Sequence, residues 1–125
     1  MMIICNYLSG HHEIPEASFV TDVWAYSDPI TDKEYALITD NFLGLFIVDV
    51  NDPTNPVLAS QINSVAGFDV KSWQNYIYTV TGSSNGSGSI IDIFDPSKPV
   101  VVGTFLLLET YLLAIKDICM PKHPV

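Results

Sequence analysis

Positive charge is scarce in this 125-residue sequence. It has five Lys and no Arg against 14 Asp and Glu, which gives a formal net charge of -9 at pH 7. Phosphate neutralisation needs clustered cations, and base recognition favours Arg, so we expect no nucleic-acid partner. The acidic balance suits a cationic ligand, a divalent ion or simple solubility.

Cysteine is also rare, and the two copies, Cys5 and Cys119, lie near opposite ends of the sequence. Repeated sheets can bring distant positions together, so a disulfide and a pair of buried free thiols both stay open. Residues 1–5 carry no basic segment, and their apolar run is shorter than the ~7 residues of a signal-peptide core. We therefore expect no signal peptide in this chain.

Long apolar runs are missing as well. The longest, over residues 100–115, is interrupted by Gly103, Thr104, Glu109 and Thr110, and it falls short of the ~20 residues that span a bilayer as a helix. We interpret it as buried strands and expect no membrane span. With 48% hydrophobic and 15% charged residues, the chain is still able to bury the core of one domain.

The sequence does contain a copy of part of itself. Residues 47–57 (IVDVNDPTNPV) align without a gap on residues 90–100 (IIDIFDPSKPV), at a shift of 43 residues. A second mark, Asp followed by a β-branched residue, occurs at Asp22, Asp69 and Asp117, at spacings of 47 and 48 residues. A self-similar period of this size indicates a repeat architecture.

Each copy contains four stretches with the aromatic and β-branched character of strands. An Asp-Pro pair ends the third strand of each copy, because proline lacks the N–H that the ladder needs and the preceding Asp accepts hydrogen bonds from turn amides. A second proline opens each fourth strand. The residues assigned to this structural turn are Asp52, Pro53, Pro56, Asp95, Pro96 and Pro99. The predicted strands are 18–26, 34–40, 44–50 and 56–62, then 66–73, 75–81, 89–94 and 99–106.

A four-stranded unit that recurs every ~40 to 50 residues is typical of a β-propeller blade. The predicted fold is all-β, an incomplete β-propeller with two four-stranded antiparallel blades plus the start of a third. Closure requires about four to eight blades, so we expect further blades, from the same parent chain or from another protomer, to cover the end strands. The predicted divisions are an N-terminal segment (1–17), repeat 1 (18–65), repeat 2 (66–106) and a partial third repeat or irregular tail (107–125).

Residues 44–57 (GLFIVDVNDPTNPV) resemble the LVIVD repeat, and residues 89–100 (SIIDIFDPSKPV) are similar to a second one. Residues 22–29 (DVWAYSDP), followed by 33–37 (KEYAL), resemble the opening blade of bacterial choice-of-anchor B domain proteins. The resemblance implies an LVIVD-type propeller in a secreted or cell-surface protein, and it brings no catalytic motif with it. This chain departs from the family by lacking an export signal and an anchor, which a fragment of a longer protein would explain.

The candidate binding residues are the Asp marks Asp22, Asp69 and Asp117, together with Trp24. The marks begin the first strand of each unit, which lines the central channel of a propeller, so one hypothesis is an acidic rim that faces a ligand. The favoured alternative is that these carboxylates accept backbone hydrogen bonds where each strand begins. The aromatic residues offer a sugar-stacking or protein-binding surface, although packing between blades is their default role. They are Trp24, Tyr26, Trp73, Tyr76 and Tyr78.

A Ca²⁺ site is the cofactor alternative, and it would draw on Asp49, Asp52, Asp92 and Asp95. Turn capping is favoured instead, because Asp residues three apart point to opposite faces of a strand and no calcium-loop pattern occurs. His11 and His12 are adjacent, so in an extended segment they point apart and do not grip one ion. No catalytic, cofactor-binding or metal residue is assigned.

The predicted function is a non-enzymatic repeat module that serves as a protein- or glycan-interaction scaffold, extracellular or at the cell surface by resemblance. The alternative is a divalent-metal-dependent, lactonase-like propeller hydrolase.

Overall fold

A computed structural model describes residues 10–14, 19–83 and 85–106. Its strands form two four-stranded antiparallel sheets, and in each sheet the strands lie side by side in chain order. The first sheet contains β1 (Val20–Ser27), β2 (Glu34–Asp40), β3 (Gly44–Asp49) and β4 (Val57–Ile62). The second contains β5 (Asp69–Trp73), β6 (Tyr76–Val80), β7 (Ser87–Asp92) and β8 (Val100–Leu106).

The predicted all-β fold with two four-stranded antiparallel units is confirmed. The expected start of a third unit, over residues 107–125, lies outside the described residues. The described residues also include no helix long and apolar enough to cross a membrane.

Six of the eight strands begin one to three residues away from the predicted positions, and two of these differences have a clear cause in the structure. Strand β5 begins at Asp69 rather than 66, because Gly67 belongs to the connection, where its Cα lies so close to the Asp40 carbonyl that a Cβ would collide with it. Strand β7 begins at Ser87 rather than 89, because Ser87 and Gly88 still pair with the end of β8. Both differences come from contacts between elements that are distant in sequence.

The strand pairings show that the two sheets repeat each other residue by residue. Tyr35 pairs with Asp49 in the first sheet, as Tyr76 pairs with Asp92 in the second. The third and fourth strands of both sheets share a register shift at the same place, between Ile47 and Val48 and between Ile90 and Ile91. The 43-residue shift seen in the sequence is therefore a shift between equivalent structural positions.

The Asp-Pro turns have the same hydrogen bonds in both copies. Oδ1 of Asp52 accepts from the amide of Thr54 at 3.0 Å and from its hydroxyl at 2.6 Å. Oδ1 of Asp95 accepts from the amide and hydroxyl of Ser97 at the same two distances. These bonds lower the pKa of both carboxyls. The geometry is that of turn capping, because each carboxylate serves groups only two residues away.

The core lies between the sheets, where unlike faces meet. We call the face of the first sheet that presents Tyr35, Leu37 and Ile47 its front face. The face of the second sheet that presents Val70, Ile77 and Ile91 is its back face. These residues form one cluster, and those of the back face are fully buried. Front-to-back stacking therefore provides the hydrophobic contact that holds the two units together.

Candidate functional site

The predicted rim residues Asp22 and Asp69 lie next to each other where β1 and β5 run side by side. Oδ2 of Asp22 accepts a hydrogen bond from the amide of Val70 at 3.1 Å, and Oδ1 of Asp69 accepts from the same amide at 2.8 Å. The pKa of Asp22 lies below its ordinary value, chiefly because of a hydrogen bond with the Asp69 side chain, and the amides of Val70 and Val23 add to this effect against burial. Asp22 thus connects the two sheets, and its role in binding a ligand stays a prediction.

Lys71 supplies a cation to this pair. Its Nζ lies 3.1 Å from Oδ1 of Asp69 and 3.5 Å from Oδ2 of Asp22. The same Nζ lies 4.4 Å from the centroid of the Trp24 ring, a cation–π distance. Trp24 in turn donates from Nε1 to Oγ of Ser72 at 2.9 Å. Trp24 and Lys71 occupy equivalent positions, paired with Leu37 and Tyr78, so this contact joins successive repeats.

A divalent ion at this rim would have to displace the Lys71 ammonium, which already compensates the two carboxylates. Among residues 10–14, 19–83 and 85–106, no group of three or more His, Cys, Asp and Glu side chains is arranged to hold a metal ion. His11 and Glu13 lie 3.9 Å apart and are largely exposed. The calcium site and the metal-dependent hydrolase stay predictions. Asp117, Cys5 and Cys119 lie outside the described residues.

The predicted aromatic set divides between core and surface. Tyr26 is buried beside Tyr35, whereas Trp73 is 63% exposed and Trp24 is 37% exposed. Trp24 nevertheless contacts Lys71 and Ser72 of the second sheet, so it takes part in the contact between the two units, and packing of Trp73 between blades stays a prediction. Strand β5 carries Trp73 at the front face of the second sheet, where no described strand lies against it.

The sequence did not predict a cleft that lies at the end of the two sheets where strands β1 and β5 begin. Its volume is about 460 Å³, and it is lined by the β2–β3 turn, the connection from β4 to β5, and the facing ends of β6, β7 and β8. Hydroxyl and amide side chains dominate the lining, and none of the described residues that line the cleft is ionisable. They are Asn41, Asn63, Ser64, Thr81, Ser87, Ser89 and Thr104.

The sequence carried little signal for this cleft. Asn41, Asn63 and Ser64 have the composition of ordinary turns, and so do the small and polar residues of the stretch 82–89. What makes them neighbours is the pairing of strands within each sheet together with the stacking of the two sheets, because they come from segments that are distant in sequence. An alignment of the repeats could have found them, because it predicts that the β2–β3 turn and the β4–β5 connection lie at the same end of the sheets.

The comparison with known families agrees with the repeat geometry. The LVIVD repeat family matches residues 20–64 and 69–106, which cover the two sheets. No curated protein and no solved structure matches the chain. The choice-of-anchor B architecture stays a prediction. Two matches that together span most of the sequence, each over one four-stranded sheet, show that the chain belongs to the LVIVD repeat family.

Proposed function

We propose that this chain is a non-enzymatic module of an LVIVD-type β-propeller, part of a secreted or cell-surface protein, and that it serves as an interaction scaffold. A further blade, from the same parent chain or from another protomer, packs on the front face of the second sheet. The observation that carries the proposal is the front-to-back stacking of the two sheets.

The front face of the second sheet repeats the residues that form the inter-sheet core in the first. By strand pairing, Tyr76, Tyr78 and Ile90 are equivalent to Tyr35, Leu37 and Ile47. The three residues of the first sheet are buried, and their equivalents are half-buried. A face of aromatic and aliphatic side chains in the register of an existing interface favours another copy of that interface.

Association of the 125-residue chain tests the packing of a further blade, because unpaired front and back faces would join separate molecules head to tail. We expect sedimentation equilibrium to show self-association of the wild type. Tyr78→Glu should give monomers, since a carboxylate on the front face resists burial. Circular dichroism should show the same β signal for both.

Ile30→Glu is the charge-matched control, since Ile30 is 64% exposed in the turn between β1 and β2. It should associate as the wild type does. Folded monomers for both the wild type and Tyr78→Glu would contradict the proposed contact.

A further inference from the structure

We propose that the cleft between the two sheets binds an uncharged saccharide. The inference deepens the scaffold role proposed above and rests on it, but it does not need a further blade. Its support is the chemistry of the lining, the unpaired state of several polar groups, one exposed aromatic ring, and the lack of charge.

The lining offers groups that both donate and accept hydrogen bonds. Ser and Thr hydroxyls and Asn amides have this double capacity, and sugar hydroxyls need it from their partners. The volume of about 460 Å³ falls within the range of small-molecule sites, roughly 300 to 1,000 Å³. A ligand with many hydroxyls therefore matches the cleft in both size and bonding.

Several of these groups have no partner within the described part of the chain. The side chains of Asn41, Asn63 and Ser64 make no hydrogen bond there, whereas Oγ1 of Thr81 accepts from the amide of Ser87 at 3.0 Å. Ser89, which also lines the cleft, is 5% exposed, but its hydroxyl is not one of the buried side-chain groups that lack a partner in the described residues, which are those of Tyr26 and Thr79. The exposed side chains of Asn41, Asn63 and Ser64 can therefore hydrogen-bond a ligand without giving up a bond within the described residues.

Phe42 gives the cleft a flat apolar surface. Its side chain is 72% exposed, and its ring meets that of Phe19 edge to face, with centroids 6.3 Å apart. The turn that carries it is held by Oδ1 of Asp40, which accepts from the amides of Phe42 and Leu43 at 2.9 and 3.1 Å. The backbone of the turn is thus held in place, and the exposed ring it carries is available to stack on a sugar ring.

Charge narrows the ligand class. The lining, as far as the structure describes it, has no cation to hold a phosphate, sulfate or carboxylate, and the chain as a whole carries a formal charge of -9. Anionic sugars and nucleotides are therefore disfavoured by both the site and the field around it. An apolar peptide would leave the unpaired amides and hydroxyls buried without partners. A neutral saccharide is the ligand that fits all three constraints.

Titration of the ¹⁵N-labelled chain with neutral disaccharides tests the inference. Maltose, cellobiose and N,N′-diacetylchitobiose are the probes, and digalacturonic acid is the charged comparison. We expect at least one neutral sugar to shift the amides of Asn41, Asn63 and Ser64, with a Kd on the order of 1 mM, since each exposed hydrogen bond contributes little net free energy. Digalacturonic acid should leave these amides unmoved.

Phe42→Ala should weaken binding about tenfold by removing the stacking surface. Ser89→Ala, which retains volume and loses only the hydroxyl, should weaken it severalfold. Phe94→Ala is the matched control. Phe94 is 66% exposed, and it follows β7 at the end of the sheet that is opposite to the cleft. Its affinity should equal that of the wild type.

The inference is overturned if no neutral sugar shifts these amides at tens of millimolar, if digalacturonic acid binds as well, or if Phe42→Ala and Phe94→Ala behave alike. Maltohexaose distinguishes the source of the ligand: tighter binding than maltose indicates the interior of a polysaccharide, and equal binding indicates a small sugar or a chain end. Titrating Tyr78→Glu as well separates the two proposals, because binding by this monomer supports the cleft whatever happens to blade packing.

Discussion

The backbone amide of Val70 donates a hydrogen bond to Oδ2 of Asp22, across the gap between the two sheets. Both residues come from the recurring mark of an Asp followed by a β-branched residue, one copy supplying the carboxylate and the next the amide. The recurrence of Asp at this position therefore has a structural cause. A carboxylate there sets the spacing between successive first strands.

Replacing this carboxylate tests its structural role. Asp22→Ala removes an acceptor from the amide of Val70, which keeps a second bond to Asp69, so we expect a loss of about 1 kcal/mol in the free energy of unfolding. Asp22→Asn keeps an acceptor oxygen and should lose less. Urea denaturation measures both, and equal stability of all three proteins would contradict the role.

Acid should destabilise the fold. Hydrogen bonds lower the pKa of Asp49, Asp52 and Asp95 in the folded state, so the unfolded chain takes up protons first as the pH falls. The contribution is fully present above the unfolded value near 3.8 and is lost as the pH falls through the lower folded values. We expect the melting temperature to drop as the pH falls below 3.8.

The relief of negative repulsion on acidification has the opposite sign, so a drop in melting temperature indicates carboxylates whose pKa is lowered in the folded state, which include Asp22 and Asp28 as well as the turn carboxylates. Asp52→Asn and Asp95→Asn together, which keep an acceptor without the titration, should flatten the pH profile. An unchanged profile in this double variant would assign the acid sensitivity to other groups.

A buried carboxylate in the inter-sheet core should be severely destabilising. Ile91 is fully buried on the back face, and Ile91→Asp leaves an unpaired charge there, at a cost of several kcal/mol. Val100→Asp, at a position 58% exposed, is the control and should cost less than about 1 kcal/mol. Similar denaturation midpoints for the two variants would show that the assigned facing of β7 is wrong.

Tyr26 provides a test in the stabilising direction. Its hydroxyl is buried and has no hydrogen-bond partner among the described residues, and burial together with the charge of Asp28 raises its pKa to about 12. Tyr26→Phe removes the unpaired hydroxyl, so we expect a change between zero and about 1 kcal/mol of added stability. A loss of more than that in thermal unfolding would reveal a partner for the hydroxyl.

Calcium should leave the protein unchanged if Lys71 already compensates the carboxylates of the rim. We expect no heat of binding in calorimetric titration and no rise in melting temperature. The same calcium titration of Lys71→Met is the informative comparison with the wild type, since this substitution removes the ammonium and retains much of the side-chain volume. Calcium stabilisation of the wild type would support the metal-dependent hydrolase instead.

The parts of the fold that depend on local chemistry could be predicted from the sequence. Asp52 and Asp95 cap groups two residues away, so the turn is encoded within a few positions and repeats wherever the residues do. The strands and their meander order follow from the same local signals. The LVIVD assignment depended on these segments and is confirmed by the family match.

The features that depend on the stacking of sheets could not be predicted in the same way. Lys71 reaches Asp22 and Trp24 only because strands some 48 residues apart become neighbours, and nothing in its immediate sequence marks it. The exposure of Trp73 and the assembly of the cleft have the same origin. Composition gives a residue's preference for burial, but the neighbouring sheet decides whether it is covered.

The unlike faces of each sheet give the repeat a polarity. A front face is complementary to the back face of the following unit, so units can be added only in one rotational sense, and chain order becomes angular order around the axis. Any connection between units is then geometrically equivalent to any other. A complete ring built this way should tolerate circular permutation. The new termini would lie within one of the connections between units.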